Sequence, residues 1–177
     1  LMNIYGRFFS DYGYTVSQLL ITKDIVDHSI REENAKNTLL RLLELGAIPI
    51  VNENDTVAVE EIEFGDNDTL SAIVAVIAKA DLLVILSDIK GLYDGNPRED
   101  QEARLIPVVK EITPEIESFA GESGTSQGTG GMITKIHAAK IATSKGIPMV
   151  IASGDRPEVL YDITDGKVEG TLFYGCE

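Results

Sequence analysis

Helical and extended periodicities alternate along the chain. Residues 1–13 read as the end of a helix that stops near Gly13, and Val16–Ile21 follows as a short extended run. From about Ser29, the residues Ala35, Leu39, Leu42 and Leu43 recur at i, i+4, i+7 and i+8, an apolar stripe at helical spacing. Gly46 follows Leu45 as a C-cap, because glycine accepts the left-handed backbone that ends helices. Ile48-Pro49-Ile50-Val51 then predicts a buried strand. Leu70, Ile73, Val74 and Ile77 mark a third helix, leading into a strand over Leu82–Leu86. Near the end the same unit recurs: a helix from about Gly131 to Lys145, Gly146, then a strand over Ile147–Ile151. Val57–Phe64 alternates polar and apolar positions and reads as a hairpin or edge excursion. Helices alternating with short, continuously apolar strands predict an α/β fold. The expected form is a three-layer αβα sandwich with a mainly parallel open sheet covered on both faces. A chain of 177 residues suits one such domain, spanning 1–177.

Composition narrows the chemistry. At 44% hydrophobic the chain is too aliphatic for wholesale disorder. Its 15 Lys+Arg against 29 Asp+Glu give a formal charge of −14, which repels phosphate backbones and anionic lipid at long range. Neither nucleic acid nor membrane is expected as a partner. The best membrane-span candidate, Leu82–Leu86, is cut short by Asp81 and Lys79. Cys176 is the single cysteine, so internal disulfides and thiolate clusters are excluded and a cytoplasmic setting is expected. The start Leu1-Met2-Asn3 has no basic region before a long apolar stretch, so it does not read as a signal peptide. Beginning inside a helical pattern, it reads as the inner part of something longer.

In open parallel sheets, ligands bind beyond the carboxyl ends of the strands. Four polar segments are placed to reach such a rim: Asn52-Glu53-Asn54-Asp55, Gly65-Asp66-Asn67-Asp68, Ser87-Asp88 with Gly91-Leu92-Tyr93, and Gly124 to Lys135. The last sets glycines at 124, 128, 130 and 131 before a helix carrying Lys135. Glycine lets backbone N–H groups approach an anion, the helix start adds positive potential, and the lysine adds a full charge. A surface loop with a solvated lysine is the plain alternative, and the GxxxxGKS/T order of a P-loop is absent. Asp66 or Asn67 reads first as an N-cap, with Asp68 set favourably against the helix dipole. The same side chains suit the ammonium and carboxylate of a small zwitterion. Ser87-Asp88 reads as a turn at a strand end as readily as a site. His28 and His137 have no partner at ligand or catalytic spacing, and Lys90, Lys140 and Lys145 are expected to be solvated. No metal-ligand set and no Ser/His/Asp or Cys/His constellation can be assembled.

Together the segments resemble the amino-acid kinase family. The matching residues are Asn52-Glu53-Asn54-Asp55, Phe64-Gly65-Asp66-Asn67-Asp68 with Leu70-Ser71-Ala72, and Ser87-Asp88-Ile89-Lys90-Gly91-Leu92-Tyr93. They continue through Gly128-Thr129-Gly130-Gly131-Met132-Ile133-Thr134-Lys135 to Gly170-Thr171-Leu172-Phe173. The combination is closest to the branch that phosphorylates the γ-carboxylate of L-glutamate at the head of proline biosynthesis. The resemblance implies ATP with Mg²⁺ and L-glutamate as reactants. Ser87, Asp88 and Thr129, Gly130, Gly131, Met132, Ile133, Thr134 and Lys135 would hold the nucleotide. Asp55, Asn67 and Asn52 would bind glutamate, Lys135 would stabilise the transferring phosphoryl group, and Asp68 would orient the catalytic lysines. It further implies feedback inhibition by proline and a homo-oligomer. Family members begin with a strand and a Gly-Ser-rich loop preceded by a second catalytic lysine. Residues 1–50 do not match that segment, so the domain is expected to be N-terminally incomplete, and no C-terminal PUA domain follows within 177 residues. Alternatives are another kinase of the family, acting on aspartate, acetylglutamate or a nucleotide such as uridylate, and a non-catalytic sensor of an amino acid or nucleotide.

Overall fold

A computed structural model describes residues 2–22, 25, 28–54, 67–97, 100–122, 131–167 and 169–175. The chain divides into two compact units, 1–70 and 71–177. In the first, α1 (Met2–Ser10) precedes β1 (Thr15–Ile21), and α2 (Ser29–Glu44) leads to β2 (Ala47–Glu53). β1 and β2 are parallel, in register from Thr15↔Ala47 to Ile21↔Glu53, and the Asn54 amide extends the ladder to the Ile21 carbonyl at 2.9 Å. The strand–helix–strand crossover is the connection a parallel pair requires. α2 ends as its glycine predicts: the Leu45 and Gly46 amides fold back onto the Arg41 and Leu43 carbonyls, with Gly46 at φ +71°. The apolar stripe on α2 is narrower than its spacing implies. Leu39 is buried, Leu42 half-buried, and Leu43 is 49% exposed.

The second unit is built on a four-stranded sheet in the order β3-β5-β6-β4. The strands are β3 (Leu83–Ser87), β4 (Val108–Val109), β5 (Met149–Ser153) and β6 (Thr171–Phe173). β3 pairs parallel with β5 and β4 parallel with β6, whereas β5 and β6 are antiparallel. Side chains alternate across the sheet, as strand geometry requires. Leu83, Ile85, Met149, Ile151 and Phe173 join a core with α3 (Asn67–Ala78), α4 (Pro114–Glu122) and α5 (Met132–Thr143). Val150 and Ala152 face the other way, packing with Leu82, Val84 and Leu172 under Val159 and Ile163 of α6 (Val159–Thr164). Helices therefore cover both faces of this sheet, and the mostly parallel α/β expectation holds.

Two strands begin later than their apolar runs suggest, β3 at Leu83 rather than Leu82 and β5 at Met149 rather than Ile147. Ile147 is buried but stands before the strand, and Pro148 joins it only as an acceptor, taking the Leu83 amide at 3.0 Å. Burial there comes from packing beneath α5, not from the ladder. The expected hairpin over Val57–Phe64 lies outside the described residues.

Candidate functional site

The parallel strands β3 and β5 end level with one another, Ser87 opposite Ser153. The Gly154 amide donates to the Ser87 carbonyl at 2.7 Å, tying the two exits together. Each exit places a hydroxyl beside a carboxylate. Ser87 Oγ donates to Asp88 Oδ1 at 3.2 Å, and Ser153 Oγ donates to Asp155 Oδ2 at 3.1 Å. This rim is the carboxyl end of a parallel pair, where loops of such sheets receive ligands. The Ser153-Gly154-Asp155 turn was not anticipated. Its signal was the repeat of Ser87-Asp88 chemistry one strand over, visible only once the pairing of β3 with β5 is known.

At the start of α5, Gly131 is the N-cap and supplies no side-chain cap. Thr134 folds back along the turn, its hydroxyl donating to the Gly131 carbonyl at 2.8 Å. A helix N-terminus carries partial positive charge and so favours a nearby anion. Lys135 in this first turn is 8% exposed, which rejects the solvated-lysine alternative. On either side of it Met132 and Ile136 pack into one core with Leu83, Ile85 and Leu92, locking the helix start to β3 and the segment after it. Met132 is thereby committed to the core, while Ile133 is 59% exposed. Thr129 and Gly130 lie outside the described residues.

The acidic and amide segments belong to the other part of the chain. Asn52 is exposed near the end of β2, Glu53 is buried and Asn54 half-buried. Glu53 is the buried member of the Asn52–Asn54 run, because the two-residue period of β2 turns it inward when Asn52 points out. Asn67 opens α3 on its exposed side and Asp68 sits half-buried in the first turn, a favourable place against the dipole. Asp55, Gly65 and Asp66 lie outside the described residues.

The remaining candidates stay where they were expected. His28, His137, Lys90 and Lys145 are exposed. Lys140 is paired with Glu117 at 2.6 Å across α4 and α5, beside a groove of about 430 Å³ lined by Ile133, Ile136, His137 and Ile141. On α6 the Asp162 carboxyl is held below its ordinary range by its hydrogen bond from Lys167, with further help from the Lys167 and Arg156 charges.

The family model described as the amino acid kinase family matches residues 1–153. The glutamate 5-kinase of Clostridium perfringens is 51% identical over 177 residues, covering 98% of this chain and 66% of that protein. The glutamate 5-kinase of Carboxydothermus hydrogenoformans is 57% identical over 174 residues, covering 98% of this chain and 46% of that protein. The chain thus spans less than two thirds of the length of the first of these and under half of the second. Among solved structures, a UMP kinase from Ureaplasma parvum superposes with a TM-score of 0.63 at 15% identity, covering 97% of this chain and 66% of that one. An isopentenyl phosphate kinase gives 0.63 at 16% identity, covering 97% and 65%. At such identities the likeness is one of fold.

Proposed function

The chain belongs to the amino acid kinase family, and from that premise we propose that it carries the nucleotide- and substrate-handling machinery of a glutamate 5-kinase. The reaction is transfer of the ATP γ-phosphoryl group to the γ-carboxylate of L-glutamate, giving L-glutamyl 5-phosphate and ADP as the first step of proline biosynthesis. The observation that carries this reading is identity of 51% and 57% to enzymes of that name across nearly the whole chain. The family model matches residues 1–153 of the chain, a span that runs through both compact units, which supports reading the chain as one kinase domain.

In this reading a γ-carboxylate oxygen attacks the γ-phosphorus while the bond to the β–γ bridging oxygen breaks. The carboxylate is already nucleophilic, so positioning and charge neutralisation carry the rate. Ser87 and Asp88 at the β3 exit hold the nucleotide, and the segment Thr129 to Lys135 wraps the phosphates. The Lys135 ammonium neutralises the transferring group. Asp55, Asn67 and Asn52 bind glutamate, and Asp68 orients the catalytic lysines. The oxygen donors of Ser87 and Asp88 at the β3 exit are hard, the type that Mg²⁺ accepts, and a Mg²⁺ held there with ATP would supply charge neutralisation for its phosphates. Feedback inhibition by proline, a homo-oligomer and a cytoplasmic setting belong to the same proposal. No helix among the described residues is long and apolar enough to cross a membrane.

Calorimetry with Asp55→Ala tests the division of labour. Glutamate binding should be abolished with Mg-ATP binding mostly intact, and loss of both together would show the sites are wrongly divided.

A further inference from the structure

The dipeptide Gly170-Thr171 lies at the start of β6, beyond the residues that the family model matches. Thr171 is fully buried, and its hydroxyl makes two long-range hydrogen bonds. It accepts the Leu92 amide at 2.8 Å and donates to the Ile106 carbonyl at 2.7 Å. The Ile106 amide in turn donates to the Leu92 carbonyl at 2.8 Å, closing a ring through three segments. Leu92 is 1% exposed, so water cannot replace the hydroxyl at its amide without repacking.

The backbone around this ring leaves no slack. A Cβ at Gly91 would stand 2.5 Å from Thr171 Oγ1 and 2.9 Å from Leu105 Cδ1. Gly170, at φ +123°, lies against the carbonyls of Ile151 and Lys90, and a Cβ there would overlap the first and come within 2.8 Å of the second. Lys90, Gly91 and Leu92 are thus bedded on Gly170-Thr171. The other end of the loop is tied by Gly154 to the Ser87 carbonyl at 2.7 Å. The segment Asp88–Gly91 is pinned on both sides.

We propose that Thr171 is a positioning residue for nucleotide binding: acting through Gly91 and Leu92, it sets the conformation of the loop that carries Ser87 and Asp88. This rests on the reading of that loop as the nucleotide site. A hydroxyl at 171 is needed, and the threonine methyl is not.

The test compares Thr171→Val, Thr171→Ser and Asp88→Ala by calorimetry with Mg-ATP and, separately, with L-glutamate, alongside hydrogen exchange at the Leu92 amide. Thr171→Val should weaken Mg-ATP by at least about tenfold, the worth of one net hydrogen bond, while leaving glutamate affinity unchanged. Thr171→Ser should bind Mg-ATP as the unaltered protein does. Normal Mg-ATP binding by a folded Thr171→Val, with Asp88→Ala defective, overturns the positioning role alone. Normal binding by Asp88→Ala, or none by the unaltered protein, overturns the nucleotide reading and the proposal with it. Should Thr171→Val fail to fold, the unaltered protein decides: Mg-ATP must further slow Leu92 amide exchange, because coupling between loop and ligand is reciprocal, and unchanged exchange overturns the proposal.

Discussion

The Gly154 amide donates to the Ser87 carbonyl at 2.7 Å, so the exits of two parallel strands form one continuous rim. The bond belongs to the backbone, and a methyl at Gly154 would meet Leu86 Cβ at 3.5 Å and the Ser87 carbonyl oxygen at 3.6 Å, ordinary contact distances.

Gly154→Ala should therefore change stability by no more than about 0.5 kcal/mol. Gly170→Ala stands in contrast, since it combines φ +123° with overlap on the Ile151 carbonyl. It should cost at least about 3 kcal/mol, from strained backbone and overpacking together. Urea denaturation of the two variants checks the difference, and equal midpoints would show that the close approach at Gly170 relaxes freely.

The fold was readable where periodicity and end signals coincide. α2 closing at Gly46 and α5 before Gly146 are such places, and each glycine has φ above +70°. β4 and β6 were not readable as strands. Two and three residues long, they have too few positions for a period to register, and β6 is held by Thr171 contacts to residues far away in sequence. α6 escaped for a related reason, being six residues long. The chemistry of Ser87-Asp88 and Lys135 was legible as residue types. What the sequence could not supply was the burial of Lys135, or the pairing that sets Ser153 opposite Ser87.

Asp162 gives a pH dependence whose sign is fixed. Its carboxyl accepts from Lys167 Nζ at 2.7 Å and from Arg156 Nη2 at 3.2 Å, and its pKa is lowered in the folded chain. A depressed carboxylate pKa contributes stability that is present above the unfolded value and lost as pH falls through the folded one. Asp162→Asn should lower Tm slightly at neutral pH, the deficit being small because both cations are largely exposed. The deficit should shrink as pH falls below the ordinary carboxylate range. A deficit that grows on acidification would contradict the pairing.

The proposed phosphoryl transfer turns on Lys135, a lysine buried in the first turn of a helix without a side-chain cap. Its most direct test is the initial rate of acyl-phosphate formation from L-glutamate and Mg-ATP, trapped with hydroxylamine, in the full-length protein and its Lys135→Ala variant. The expected result is a fall in kcat of about 10²–10³-fold, the scale of losing one transition-state charge partner, with glutamate KM little changed. An unchanged kcat would contradict it.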